Sequence, residues 1–163
     1  MDKVANFQSW LEQAPDVFTA DTLWKMKVYQ YAMFLADLAW HDATKLMSDR
    51  RTIGLSEQLH EAVGSIGANI SEGYSRSSGK DRARFYEYSL GSARESRGWY
   101  YDGRFVLGDE VATHRMQFLT QVIRLLLTML PEERARTIHE EETEYKVEAQ
   151  PSLETIVEKA PLP

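Results

Sequence analysis

Apolar residues in the middle of the chain repeat with the spacing of an α-helix. The intervals of three and four residues place them on one helix face. This pattern predicts a central helix over Leu55 to Gly73, and Gly73 fits a left-handed C-terminal position. The apolar face comprises Leu55, Leu59, Val63, Ile66 and Ile70.

Two further faces of the same helix have a distinct character. One face consists of small residues, Gly64, Gly67, Ala68 and Ser71. Because a glycine inside a helix costs about 1 kcal/mol relative to alanine, this face indicates close contact with another helix. The alternative is a helix that merely tolerates its glycines. The other face is polar and comprises Glu61, Ser65, Asn69, Glu72 and Arg76.

A long helix is predicted before the central one, from Thr22 to about Met47, with Asp21 as its N-cap. Its apolar row is interrupted at Asp42. A short helix with Phe7, Trp10 and Leu11 on one side precedes it. The apolar row of the long helix comprises Trp24, Val28, Tyr31, Leu35, Leu38 and Leu46.

Two long helices are predicted after the central one. The third begins near Lys80, where Ser78 and Asp81 resemble a capping box. The fourth runs from about Glu110 to Leu130, and Pro131 follows its end. One row of the third helix comprises Phe85, Tyr88, Ser92, Glu95, Trp99 and Val106, and the row of the fourth comprises Val111, Phe118, Val122, Leu125, Leu126 and Met129.

Four long helices with short loops and no alternating segment predict an all-α fold, an antiparallel up-down four-helix bundle. Residues 1–21 are expected to be an N-terminal extension with a short helix, residues 22–131 the bundle, and residues 132–163 an acidic, disordered tail. The alternative for the tail is one helical turn with Leu153, Ile156 and Val157 that packs on a partner.

Composition narrows the class of protein. Apolar residues make up 43% of the chain and charged residues 27%, which is typical of a soluble domain. Of the net charge of −6, residues 132–163 carry −5 (nine acidic and four basic residues), leaving −1 for residues 1–131. No apolar run is long enough to span a membrane. The absence of cysteine excludes disulfides and thiolate catalysis, and cytoplasmic localisation is expected.

The sequence offers little catalytic chemistry. Glu57 and His60 form one E-x-x-H pair, but a bundle di-iron site needs two such pairs. Glu72 and Glu95 are candidates to approach each other across two helices, yet together with Asn69 and Arg94 they more simply predict a polar network that fixes helix register. Phosphate-binding loops, nucleophile elbows and dinucleotide fingerprints are absent. The chain is therefore predicted to be no enzyme and to need no cofactor or metal.

Basic residues concentrate in the third helix. Seven basic and four acidic residues leave +3 between residues 74 and 104. Of the tyrosines there, Tyr86, Tyr100 and Tyr101 are interleaved with the basic residues and are candidates for base stacking. This predicts a nucleic-acid site, and the alternative is a solvated helix face. The predicted contacts are Arg76, Lys80, Arg82, Arg84, Arg94 and Arg97.

The central and third helices also carry two motif blocks. The first is Gln58-Leu59, Ala62-Val63, Ser65-Ile66, Ala68-Asn69-Ile70 and Glu72-Gly73 with Arg76, and the second is Phe85, Gly91-Ser92 and Glu95. They resemble the signature of the small bacterial four-helix-bundle family that was first noticed in intervening sequences of 23S ribosomal RNA genes. That family includes accessory proteins of diversity-generating retroelements. The resemblance spans roughly Trp24 to Leu130, and its structural signature here is Gln58, Ser65, Asn69, Glu72, Gly73, Gly91, Ser92 and Glu95.

The resemblance implies a homo-oligomer, favours a pentameric ring, and implies DNA or RNA and a reverse transcriptase as partners. Aromatic residues such as Trp10, Trp99 and Tyr101 exceed what a thin bundle buries, which also favours an interface. The family's basic residues are lost at His60-Glu61 and at Ser89-Leu90, which weakens the nucleic-acid prediction but not the fold. Gly67 stands where the family commonly has proline. The alternative function is a bundle metalloprotein or enzyme, which metal analysis would reveal.

Overall fold

Four long helices make up most of the computed structural model, which describes residues 4–134 and 152–163. Two short helices and a 3-10 turn precede them, and a short helix lies near the C-terminus. The elements are β1 Val4–Ala5, α1 Phe7–Gln13, α2 Asp16–Thr19, the 3-10 turn Thr22–Lys25, α3 Lys27–Leu46, α4 Ile53–Tyr74, α5 Gly79–Leu107, α6 Asp109–Arg134, α7 Leu153–Glu158 and β2 Ala160–Pro161.

The long helices pack in chain order, α3 on α4, α4 on α5 and α5 on α6, and α6 returns beside α3. Because the loops between them are only a few residues long, successive helices run antiparallel. The predicted all-α bundle is therefore confirmed. The boundaries of the three regions of the chain stay predictions.

Helix α4 has the predicted apolar face, because Leu59, Val63, Ile66 and Ile70 are buried. Two of its glycines pack closely against side chains of neighbouring helices. A Cβ at Gly67 would lie 3.2 Å from Met33 Sδ, and one at Gly73 would lie 2.7 Å from Tyr86 Cε1. Gly73 is helical, and the left-handed glycine of the described residues is Gly108, with φ 88°. Close approach to Tyr86, not chain reversal, thus explains Gly73.

The first long helix begins later than predicted. Asp21 does cap, accepting a hydrogen bond of 2.9 Å from the Leu23 N–H, but it caps the 3-10 turn. Met26 is extended (φ −75°, ψ 113°), so α3 starts afresh at Lys27. Sequence spacing alone does not distinguish one long helix from a turn followed by a helix.

Helix α5 begins as predicted, since the Asp81 N–H donates to Ser78 Oγ at 3.1 Å. Its core side differs from the predicted row. Phe85, Ser92, Trp99 and Val106 are half-buried, and Tyr88 and Glu95 are exposed. The observed core side of α5 mixes small residues with aromatic ones. It therefore contains few large aliphatic residues, and the sequence pattern did not identify it as the buried side. That side comprises Ala83, Tyr86, Leu90, Ala93, Tyr100 and Leu107.

Helix α6 continues through Pro131 to Arg134, so the prediction that it ends before the proline is wrong. Proline removes one backbone hydrogen bond and displaces one carbonyl. At Pro131 only three residues remain in the helix, and the loss is confined to its last turn.

An aromatic cluster joins α1 to the bundle. The Phe7 ring lies 5.3 Å from that of Phe34, and the Trp10 ring lies 5.7 Å from that of Trp24. Trp10 Nε1 also donates to Asp37. Trp10 therefore packs within its own chain, in contrast to its predicted role as a surplus aromatic.

The C-terminal segment, residues 152–163, differs from the disordered tail that was expected. Ser152 caps α7, and β2 pairs antiparallel with β1, with Val4 opposite Pro161. Ile156 and Val157 are buried, so the alternative helical turn forms and packs against the helices of the bundle. The rest of the predicted tail beyond α6, residues 135–151, lies outside the described residues.

Candidate functional site

The predicted basic residues lie on α5 and the loop before it, and two of them form hydrogen bonds with side chains of α6. Arg82 Nε donates to Glu133 Oε2 at 2.7 Å, and Arg82 Nη1 donates to the carbonyls of Arg76 and Ser77, each at 3.1 Å. Arg97 Nη1 donates to Thr120 Oγ1 at 3.3 Å. Arg82 and Arg97 are half-buried and join elements of the fold.

Three of the remaining cations cluster around the start of α5. Arg76 forms an ion pair with Glu72, and its guanidinium carbon lies 4.8 Å from the Phe85 ring centroid. Arg84 Nε donates to the Tyr88 hydroxyl at 2.8 Å. Lys80 is exposed one turn before Arg84.

Arg94 is exposed as well, but it lies ten residues beyond Arg84, about 15 Å farther along α5. The structure thus divides the predicted set of six. Arg76, Lys80 and Arg84 share one end of α5, Arg94 lies apart from them, and the other two face α6.

The polar signature residues bond mainly within their own helices. Asn69 Nδ2 donates to the Ser65 carbonyl at 2.8 Å, and Ser65 Oγ donates to the Glu61 carbonyl at 2.8 Å. On α5, Trp99 Nε1 donates to Glu95 Oε1 at 3.3 Å. Of the other signature residues, Gln58 and Gly91 are exposed and Ser92 is half-buried.

The register of α4 and α5 separates Glu72 from Glu95. Ser89 Oγ donates to the Ile66 carbonyl at 2.9 Å, and Gly73 contacts Tyr86. Glu72 therefore lies level with the first turns of α5, and Glu95 lies about 15 Å farther along the bundle. The predicted approach of the two carboxylates is wrong, and no acid–base pair forms there.

Exposed aromatic side chains and open glycines form a patch on α5. Phe105 is 83% exposed and Tyr101 54%, with the Arg104 guanidinium carbon 4.1 Å and 3.9 Å from the two ring centroids. A Cβ at Gly91 or Gly98 would meet nothing within 4 Å. The α5 patch comprises Tyr88, Gly91, Gly98, Tyr101 and Phe105.

A second patch of this kind lies on α3 and α4. Trp40 is 64% exposed and its ring lies 6.0 Å from that of His60. Met47, the C-cap residue of α3 two turns beyond Trp40, is 62% exposed. Gly64, one turn after His60, also has open space where a Cβ would lie. The α3–α4 patch comprises Trp40, Met47, His60 and Gly64.

A buried polar cluster was missed in the sequence. Arg115 and Asp42 are both fully buried, with Arg115 Nε 2.7 Å from Asp42 Oδ2. The Tyr100 hydroxyl donates to the same oxygen at 2.8 Å. Burial, followed by the Asp42 charge, raises the pKa of Tyr100 well above 10.0. The sequence did contain a signal for this cluster, because the apolar row of α3 includes one acidic residue, Asp42, and the apolar row of α6 includes one basic residue, Arg115.

This cluster extends to the C-terminal segment through His114. Arg115 Nη1 donates to His114 Nδ1 at 2.8 Å, and His114 Nε2 donates to the Ile156 carbonyl at 2.7 Å. Arg115 Nη2 donates to the Pro161 carbonyl at 2.7 Å. The pKa of His114 is lowered to about 4. Burial is the main cause, the bond to the Ile156 carbonyl opposes the shift, and the Arg115 charge adds to it.

The described residues contain neither a metal-ligand cluster nor a membrane-spanning helix. Within residues 4–134 and 152–163, no group of three or more His, Asp or Glu side chains is placed to hold a metal ion. Glu57 and His60 are both exposed on α4. No helix in the described part of the chain combines the length and apolarity needed to cross a bilayer.

Comparison with known proteins supports the sequence resemblance. Residues 24–104 match the family described as 23S rRNA-intervening sequence protein. A crystal structure from the S23 ribosomal protein family of Bacteroides thetaiotaomicron, of unknown function, is similar with a TM-score of 0.60 and 21% identity. The similarity covers 63% of this chain and 97% of that chain, and at this identity it shows the fold alone. No curated protein matches this chain.

Proposed function

We propose that this protein belongs to the 23S rRNA-intervening sequence protein family and acts as a non-enzymatic, oligomeric scaffold. The family match over residues 24–104 and the shared bundle fold support membership. The observation that carries the scaffold role is the pair of exposed patches described above. The link to retroelement accessory proteins rests on the sequence resemblance.

Three glycines in the patches are not explained by packing within the chain. Gly67 and Gly73 lie against side chains, but Gly64, Gly91 and Gly98 face open space in the middle of helices. Each costs about 1 kcal/mol of helix stability relative to alanine. A neighbouring backbone that approaches these positions would offset that cost, and exposed aromatic residues beside them would supply buried apolar area.

The two patches lie on different helices, which favours a head-to-tail contact. A twofold dimer uses the same surface on both copies, whereas a ring uses two different surfaces on each copy. The α5 patch of one subunit would meet the α3–α4 patch of the next. Five subunits are favoured by the resemblance alone.

Nucleic acid is the partner that the remaining cations support. Arg76, Lys80 and Arg84 lie together near the start of α5, and a ring would repeat this set once per subunit. Phosphate groups bind to such repeated cations with an affinity that falls as salt increases. A reverse transcriptase partner rests on the resemblance, and co-purification with one would test it.

Light scattering tests the proposal. We expect a mass that is a multiple of the 18.8 kDa chain at micromolar concentration. A monomer mass under these conditions would refute the scaffold. Metal analysis of the same sample addresses the alternative, because stoichiometric iron, manganese or zinc would identify a bundle metalloprotein.

A further inference from the structure

The C-terminal segment, residues 152–163, is bound largely through its main chain. His114 donates to the carbonyl of Ile156, Arg115 to that of Pro161, and Asn6 Nδ2 to that of Glu158 at 2.7 Å. Strand β2 pairs with β1. The surface of β1, α1 and α6 that makes these contacts is the groove, and it holds one helical turn, α7, followed by the short strand β2.

Apolar side chains of the segment complete the packing. Ile156, Val157 and Ala160 are buried, although α7 has only six residues and no core of its own. Within the described residues, the contacts of α7 and β2 are chiefly with α1, β1 and α6. The segment is therefore a separable ligand of the bundle, joined to it by residues 135–151.

The length of that connection exceeds what a return to the same chain requires. Helix α6 ends at Arg134, and the groove lies beside His114 and Arg115, twenty residues earlier on the same helix. Twenty helical residues span about 30 Å. The connection has 17 residues, and a chain of that length reaches up to about 55 Å.

We propose that the C-terminal segment of each subunit packs in the groove of a neighbouring copy of this chain. The contacts are the same in either case, and exchange of an identical element is a low-cost way to join subunits. The surplus length of the connection allows the crossing. This proposal rests on the oligomer proposed above and names a further contact between its subunits.

The absence of cysteine from the chain makes a disulfide test direct. Val4 and Pro161 are partners across β1 and β2. Antiparallel partners have Cα atoms about 4.5 to 5.5 Å apart, within the range that a disulfide bridges. Full-length chains carrying either Val4→Cys or Pro161→Cys are co-expressed, purified and oxidised. Any disulfide between positions 4 and 161 then joins two chains.

We expect a covalent product of about twice 18.8 kDa whose proteolytic peptides link positions 4 and 161. As a matched control, Val4→Cys is paired with Ser77→Cys. Ser77 is exposed in the loop before α5, and Arg82 bonds both its carbonyl and Glu133, at the end of α6 opposite to His114 and Arg115. This pair should form no comparable product.

A second variant with both Val4→Cys and Pro161→Cys in one chain distinguishes the outcomes. If this variant closes within single chains while the co-expressed pair forms no link between chains, the segment packs on its own subunit and exchange is refuted. If neither closes, the packing beside β1 is itself wrong. Light scattering separates the proposals, because an oligomer without crossed disulfides refutes exchange alone, whereas a monomer refutes the scaffold.

Discussion

Arg115 binds both carboxylate oxygens of Asp42 inside the bundle, with Nε 2.7 Å from Oδ2 and Nη2 3.1 Å from Oδ1. Both side chains are fully inaccessible to solvent. The pair joins α3 to α6, and Tyr100 adds α5. Burying two charges is costly, so such a pair is stable only while both charges remain and their other hydrogen bonds are satisfied.

Removing one charge of this pair should therefore be severely destabilising. We expect Asp42→Leu to lower the free energy of unfolding by about 3 to 5 kcal/mol, because Arg115 would be left buried and unpaired. Adding Arg115→Met should recover part of the loss. Urea denaturation measures all three proteins.

Arg51→Ala is the control for that series. Arg51 pairs with Asp49 at the surface, where its side chain is 83% exposed, and an exposed pair contributes little to stability. If Asp42→Leu and Arg51→Ala had similar effects, the buried pair would not stabilise the bundle as described.

Local signals allowed much of this fold to be predicted. The apolar face of α4 and the Ser78 cap of α5 are encoded within a few residues, and both appear where the pattern places them. The apolar row of α3 contained Asp42, but nothing in the sequence indicated that its partner is 73 residues away. Pairings at that separation depend on how the helices pack.

The candidate nucleic-acid site was also predicted only in part, because local signals were visible in the sequence and contacts between helices were not. The excess of basic residues around α5 was evident in the sequence, but Arg82 and Arg97 are bound by Glu133 and Thr120 of α6. The core side of α5 was also misassigned, because Gly, Ala and Ser occur on several of its faces. Which face was buried depended on α4 and α6 together.

Acid should destabilise the protein through His114. Its pKa is about 4 in the folded protein and 6.5 in the unfolded chain, so between these values the unfolded chain binds more protons. Stability should therefore fall as pH is lowered from 6.5 to 4, by about 3 kcal/mol in all, and this contribution should be absent at still lower pH.

The variant His114→Gln isolates that effect. Glutamine keeps a donor for the Ile156 carbonyl but does not titrate, so its stability should vary less between pH 6.5 and 4. The carboxylates contribute equally to the pH dependence of stability in both proteins. The difference between the urea midpoints of the two proteins therefore measures the contribution of His114. Parallel pH profiles would show that His114 is not held neutral in the fold.

A substitution at one of the glycines that face open space should impair assembly without impairing folding. A Cβ at Gly98 meets nothing within 4 Å, so Gly98→Gln should leave the fold intact and even add about 1 kcal/mol of helix stability. A long side chain there would obstruct a neighbouring subunit, and the mass by light scattering should fall toward one chain.

Thr128→Gln on the exposed side of α6 is the control for assembly, and its mass should be unchanged. If Gly98→Gln retained the full oligomer mass, the α5 patch would not lie in an interface. Circular dichroism on both variants confirms that the helices are retained.

Nucleic-acid binding, if it uses the start of α5, should depend on Lys80 and Arg84. Both are exposed, and the bond from Arg84 to Tyr88 lies within one helix. Log affinity should fall linearly with log salt, and Lys80→Gln with Arg84→Gln should reduce that slope by about 2 per bound subunit. Arg50→Gln, exposed in the turn before α4, is the control and should bind as the unchanged protein does.

The acidic residues between α6 and α7 in the sequence offer a second test of the same site. Truncation after Arg136 would also remove the packed C-terminal segment, so we choose substitutions instead. Replacing Glu140, Glu141, Glu142, Glu144 and Glu148 by glutamine removes five negative charges. If those charges compete with phosphate for Lys80 and Arg84, affinity for DNA or RNA should rise, most strongly at low salt. If the unchanged protein and this variant both fail to bind at low salt, the basic residues are a solvated helix face and the scaffold acts through proteins alone.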